Sequence, residues 1–251
     1  MLFAPLVVSA ALALAPPKKA SKTPTPTPAP QKGSAEPHAS GGEVKWANTF
    51  EEAVEMAKKI PDGRIIIEFF EPRCGECMRL DALVTPSTSF YALAHDKVPV
   101  KVDRSTPEGL KLAQRLGIRA VPAWVIVTPD LLLCGLQVGT TNQGGWIETF
   151  VHSEASWATY RKKVDKEAME PDNEELVFDV AQETFKRGGD ALAEPRFRKL
   201  ATSAKKPELR EQSLAYLASL ELDAGRIDDA ARDLDNLLAT GTSAGLREKA
   251  E

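Results

Sequence analysis

Cys74 and Cys77 stand two residues apart, with Gly75 and Glu76 between them. That spacing serves reversible thiol-disulfide exchange, a static disulfide, or part of a metal clasp. The flanking residues argue for exchange. Ile65 to Phe70 is an apolar run around the single acid Glu68, Pro72 stops it, and Met78, Leu80, Leu83 and Val84 then recur at helical spacing up to Thr85-Pro86. This pattern predicts a strand that delivers the pair to the first turn of a helix. The unpaired amides and positive dipole end of that turn lower a thiol pKa from about 8.5, which makes Cys74 the candidate nucleophile. Cys77 then lies on the same side within bridging reach and is the candidate resolving thiol. Gly75 leaves room for a substrate to approach. Glu76 opposes thiolate formation and Arg73 favours it, so the direction of electron flow stays open at this point.

The elements that position the pair follow from patterning. The run around Glu68 is apolar at successive positions and predicts a strand buried on both faces. A carboxylate there costs several kcal/mol unless paired or protonated, so burial is expected to raise the Glu68 pKa. Upstream, Thr49-Phe50-Glu51-Glu52 has capping-box spacing and opens a helix that ends by Ile60-Pro61-Asp62-Gly63. Downstream, residues 87–95 read as a short helix and Val98 to Val102 as a strand. Thr106-Pro107-Glu108 opens a further helix that Gly117 ends. Ala123 to Val127 and Leu131 to Val138 read as a hairpin around Thr128-Pro129-Asp130, and Gly144 to Val151 as a closing helix. The β-α-β alternation predicts a parallel pairing completed by an antiparallel hairpin, with helices on the sheet faces.

The stretch from Glu68 to Cys77 resembles the thioredoxin superfamily, whose active strand carries a buried acid six residues before its first Cys-x-x-Cys cysteine. Leu116-Gly117-Ile118-Arg119-Ala120-Val121-Pro122-Ala123-Trp124-Val125-Ile126-Val127 is similar to that family's segment around its cis-proline. The likeness covers roughly residues 43 to 152, and Trp46, Phe50 and the Glu-rich helix lean toward the envelope thiol-disulfide interchange branch. It implies an α/β fold with a thioredoxin-like mixed sheet flanked by helices, and a cis bond at Val121-Pro122 that presents the Val121 backbone to an extended substrate segment. It further implies that Glu68 exchanges a proton with Cys77 and that Lys101 holds Glu68 by charge; a simple ion pair is the other reading of these two. Arg73 stands where the family usually has an aromatic, and Glu68 where it usually has Asp. These departures bear on redox potential and on choice of partner.

The remaining sequence sets the context. With 32 basic and 36 acidic residues, a net charge of -4 and no basic block, the chain is not expected to bind nucleic acid. Residues 1–15 are apolar and rich in small residues and read as an export signal, too short to span a bilayer. Residues 16–42, with alternating Thr-Pro from Thr23 to Pro28, read as an extended tether. Residues 43–168 form the expected thioredoxin-like domain and residues 169–251 an all-helical one. In the latter, Leu214 to Leu237 resembles a tetratricopeptide repeat, and Gly188, Ala193, Phe197 and Leu200 repeat the places of Gly225, Ala230, Leu234 and Leu237 at one offset. So short an array is expected to lean on the thioredoxin-like part or on another chain, and its use is either partner binding or stabilisation. Cys134 reads as a buried core thiol. The histidines at 38, 95 and 152 lack zinc-site spacing, Met78 stands where a haem attachment motif needs His, and no metal or cofactor beyond the cysteine pair is expected. The expected partners are protein disulfides, an electron donor or acceptor of a bacterial periplasm or cell envelope, and a protein on the C-terminal helices.

Overall fold

The computed structural model describes residues 44–240; the expected signal and tether, and the chain beyond 240, lie outside the described residues. Among these, strands β1 (Arg64–Phe70), β2 (Lys97–Asp103), β3 (Ala123–Val127) and β4 (Leu133–Val138) form one sheet in the order β2-β1-β3-β4. β1 pairs parallel with β2 and antiparallel with β3, which pairs antiparallel with β4. As its uninterrupted apolar run predicts, β1 is internal and buried on both faces. Pro99 sits within the edge strand β2, and its carbonyl accepts from Ala47 N–H at 2.9 Å, away from β1. The missing proline N–H therefore falls on the outer edge and breaks no rung of the ladder.

Helices α1 (Phe50–Ala57), α2 (Gly75–Val84), α3 (Thr88–Ala94), α4 (Pro107–Arg115) and α5 (Gln143–Met169) surround the sheet. Ile65, Ile67 and Phe69 of β1 pack with Ala53, Ala57 and Ala113 of α1 and α4 on one face. Ile66 packs with Leu80, Val84, Phe90, Trp146 and Phe150 of α2, α3 and α5 on the other. Glu68 shares the pleat parity of Ile66 and therefore points toward α2. Thr49 and Thr106 cap their helices as their spacing predicts, and Gly117 ends α4 at φ 69. The capping box closes differently: Glu52 accepts from the Asn48 N–H rather than from that of Thr49.

Three expectations are corrected. On α2 the buried face is Cys77, Leu80 and Val84, whereas Met78 and Leu83 are exposed. β4 begins at Leu133 rather than Leu131, which takes φ 66 in the turn, where its N–H and that of Leu132 are both bound by Thr128. The closing helix runs not to Val151 but to Met169, because Trp146, Phe150, Trp157 and Tyr160 continue one buried stripe past exposed Val151 and His152. A Cβ at Gly135 of β4 would lie 2.8 Å from that of Ser153, so α5 leaves no room for a side chain there.

Helices α6 (Glu174–Lys186), α7 (Asp190–Ser203), α8 (Pro207–Asp223) and α9 (Ile227–Thr240) follow, each packed on the next. The two tight turns repeat each other: Gly188 and Gly225 take φ 74 and 73, and the next residues, Gly189 and Arg226, donate to the carbonyls of Thr184 and Glu221. Ala193 and Ala230 are fully buried at matching places, as are Leu200 and Leu237, with Leu234 half-buried where Phe197 is enclosed. The sequence likeness between the hairpins is thus a likeness of backbone.

The hairpins lean on the sheet domain, as so short an array requires. Arg187, at the end of α6, accepts the Leu133 N–H through its carbonyl and donates from Nη1 to the Leu133 carbonyl, both at 2.9 Å. Its guanidinium lies over Trp157 and Tyr160 and pairs with Glu183. Tyr160 and Thr184 join α5 to α6 by a hydroxyl contact of 2.9 Å.

Candidate active site

Cys74 is the N-cap of α2, as its place before the helical run implies, and its Sγ accepts from the Cys77 N–H at 3.1 Å. The two cysteines are joined by a disulfide, with Cα atoms 5.2 Å apart. Their exposures differ. Cys74 is half-buried between exposed Arg73 and exposed Gly75 and Glu76, while Cys77 is 2% exposed. An incoming group therefore meets Cys74 first, and Cys77 reacts only from within. Glu76 is exposed and ion-paired with Arg79 at 2.8 Å, so part of its charge is already answered.

Glu68 and Lys101 face each other across β1 and β2. Glu68 is 2% exposed and stands in register with Lys101 on β2 and with Trp124 on β3. Lys101 Nζ approaches Glu68 Oε2 at 3.3 Å, an ion pair in which that oxygen gains no hydrogen bond. Burial, followed by the negative charge of Asp81, lifts the Glu68 carboxyl from 4.5 to about 7, Lys101 opposing the rise. A carboxyl in that range is half protonated near neutrality, which suits general acid-base exchange. The Val121-Pro122 bond is cis, Pro122 is buried, and its carbonyl accepts from Gly139 N–H at 2.9 Å.

Asp81 was not among the residues singled out from sequence. It accepts from Lys101 Nζ at 2.6 Å, closer than Glu68 does, so one lysine serves two carboxylates. Burial opposes charge on Lys101, but Asp81 and Glu68 outweigh it and hold its pKa above the ordinary lysine range. Trp46 lies under the ammonium, 5.4 Å from Nζ to the ring centre. The signal for Asp81 was its place one helical turn after Cys77, on the face of α2 turned to the sheet. Cys77 and Asp81 lie one turn apart on α2, and Asp81 shares Lys101 with Glu68.

Two other residues are structural. Cys134 is 4% exposed, and burial pushes its thiol up to about 12, so it packs as a core residue. Trp124 is fully buried against Phe90 and Trp146 and does not line the site. Among the described residues no group of three or more His, Cys, Asp and Glu could hold a metal ion, and no helix is long and apolar enough to cross a membrane.

Compared with protein-family models and with curated proteins, the chain gives no match. Solved structures do resemble it. DsbH oxidoreductase is 15% identical with TM-score 0.39, covering 45% of this chain and 86% of that one. A thioredoxin from Thermus thermophilus is 21% identical with TM-score 0.37, covering 42% and 82%. The oxidised C-terminal domain of DsbD from Neisseria meningitidis is 18% identical with TM-score 0.35, covering 40% and 89%. The fold is α/β, a mixed four-stranded sheet flanked by helices and continued by an all-helical C-terminal part.

Proposed function

We propose that this chain is an exported thiol-disulfide oxidoreductase that reduces protein disulfides through the Cys74-Cys77 pair. The observation that carries this reading is the joined pair at the β1-α2 junction, with its first sulfur accessible and its second enclosed. The Cys74 thiolate attacks one sulfur of the substrate disulfide; the substrate bond breaks, a Cys74-substrate disulfide forms, and the first substrate thiolate leaves and is protonated. Cys77, giving its proton toward Glu68, attacks the Cys74 sulfur, closes the Cys74-Cys77 disulfide and expels the second thiolate. Two electrons pass from the pair to the substrate. An electron donor of the cell envelope returns them.

The reducing direction rests on charge. Glu68 and Asp81 together face a single Lys101, and a net negative cluster disfavours a neighbouring thiolate and so favours the disulfide over the dithiol. Val121 and Pro122, with Gly75 and Glu76, form the substrate-contacting rim. The two C-terminal hairpins are read as tetratricopeptide-like and as a surface for a protein partner, and residues 1–42 as an export signal and tether to the bacterial periplasm or envelope. The test is turbidimetric reduction of insulin with dithiothreitol as donor. Wild-type chain should accelerate precipitation and Cys74→Ser should not; equal rates would leave the pair a structural disulfide.

A further inference from the structure

The loop after β1 carries Cys74, and the loop before β3 carries Pro122. One side chain joins them. Arg104 follows the last residue of β2, and its own N–H donates to the Phe70 carbonyl at 2.9 Å, which places it at the carboxyl end of the parallel β1-β2 pair. Its Nε and Nη2 both donate to Oε1 of Glu71, at 3.0 and 2.5 Å. The Glu71 carbonyl in turn receives the Cys74 N–H at 3.0 Å. From the other prong of the fork, Nη1 donates to the Arg119 carbonyl at 3.2 Å. Residues 118–122 belong to no helix or strand. Ile118 N–H on Ala113 holds the start of that stretch, Gly139 N–H on the Pro122 carbonyl holds its end, and Arg104 holds its middle.

We infer that Arg104 is a positioning residue that fixes the Cys74 loop against the Pro122 loop and thereby makes an extended protein segment, rather than a small disulfide, the preferred substrate. This rests on the dithiol reading above and extends it. Glu71 neutralises the guanidinium, so Arg104 acts through geometry and not through charge on the thiol. The planar fork reaches both loops, and a lysine offers a single point that reaches one. A small disulfide needs only the Cys74 sulfur. An extended segment pairs with backbone on the Pro122 side while its sulfur meets Cys74, and it loses affinity once the two loops drift apart.

The experiment uses the full chain with Arg104→Gln, Arg104→Lys and, as a second route that leaves Arg104 in place, Glu71→Gln. Insulin serves as the protein disulfide and glutathione disulfide as the small one, with the midpoint potential of the Cys74-Cys77 couple measured for each variant. Arg104→Gln should raise KM for insulin by about tenfold, with kcat and the glutathione disulfide rate within about twofold of wild type and the midpoint potential unchanged. Glu71→Gln should move KM in the same direction, and Arg104→Lys should fall between wild type and Arg104→Gln. An unchanged insulin KM overturns the inference, as does a common fall in both rates or a shifted potential, which would mark a purely structural residue. Wild-type chain inert toward both disulfides would instead remove the dithiol reading, and this inference with it.

Discussion

Replacing Glu68 with Gln removes a titration that the fold itself has displaced. Glu68 is enclosed with Asp81 nearby, and its carboxyl is lifted from 4.5 to about 7. In the unfolded chain it ionises near 4.5, so between there and about 7 the native state keeps a proton that the unfolded state has lost. Native stability contributed by this group is therefore complete below about 4.5 and is lost as pH rises through about 7. The displacement corresponds to roughly 3 kcal/mol, with a slope of at most about 1.4 kcal/mol per pH unit inside the window. Urea unfolding of wild type and Glu68→Gln at intervals from pH 4.5 to 8.5, disulfide intact, isolates the contribution of the Glu68 site, because titrations away from Asp81 and Lys101 are common to both proteins. The stability of Glu68→Gln relative to wild type should rise by roughly 3 kcal/mol across that range, equivalent to about 2–4 °C in Tm for each kcal/mol. Parallel curves, within about 0.5 kcal/mol throughout, would mean that the fold does not displace the Glu68 titration and that Glu68 is no acid-base group near neutrality.

Further outcomes follow from other contacts. Cys77→Ser should accumulate a covalent Cys74-substrate disulfide, visible as a reducible higher-mass species on a non-reducing gel and missing in Cys74→Ser. Native chain should leave Cys134 unmodified by a maleimide over hours and expose it on addition of urea, since burial holds its thiol near 12; prompt labelling would contradict the core placement. Arg187→Ala leaves the Leu133 carbonyl without its donor and strips the cation from Trp157 and Tyr160, at a cost of about 2–3 kcal/mol in urea unfolding. Gly189→Ala would set a Cβ 2.3 Å from Leu132 Cδ2 and 2.8 Å from Thr184 Cγ2 where φ is an ordinary -91, so its cost of about 1–3 kcal/mol is steric. Gly188→Ala, with open space but φ 74, should cost about 1 kcal/mol through the backbone alone.

Local chemistry explains which features could be read in advance. The placement of Cys74 at a helix start needed only Pro72, the apolar run before it and the periodicity after it. The Glu68-Lys101 pair and the cis bond before Pro122 came with the family likeness, because the first depends on strand register and the second on a rare isomer. The repeated hairpins were visible because each turn needs glycine at a positive φ and a small residue where its helices cross. What stayed hidden depends on partners far away in sequence. Asp81 reads as a polar interruption of α2 until Lys101 arrives from β2, and Arg104 as one surface cation among many until Glu71 and Arg119 meet it. The phase of α2 was ambiguous because apolar residues occur on two of its faces, and only the sheet decides that Met78 and Leu83 turn outward. The length of α5 was concealed by exposed Val151 and His152, although the stripe through Trp157 and Tyr160 keeps its period.

The proposed function requires that Cys74 and Cys77 form a working two-electron couple poised to give electrons. Equilibrating the chain in graded dithiothreitol or glutathione redox buffers, with Cys134→Ala as background, and counting free thiols by mass after alkylation measures that couple directly. A reversible two-electron transition with a midpoint near or below about -270 mV is expected. A midpoint near about -120 mV would reverse the direction of transfer, and the absence of any reversible transition would contradict the claim outright.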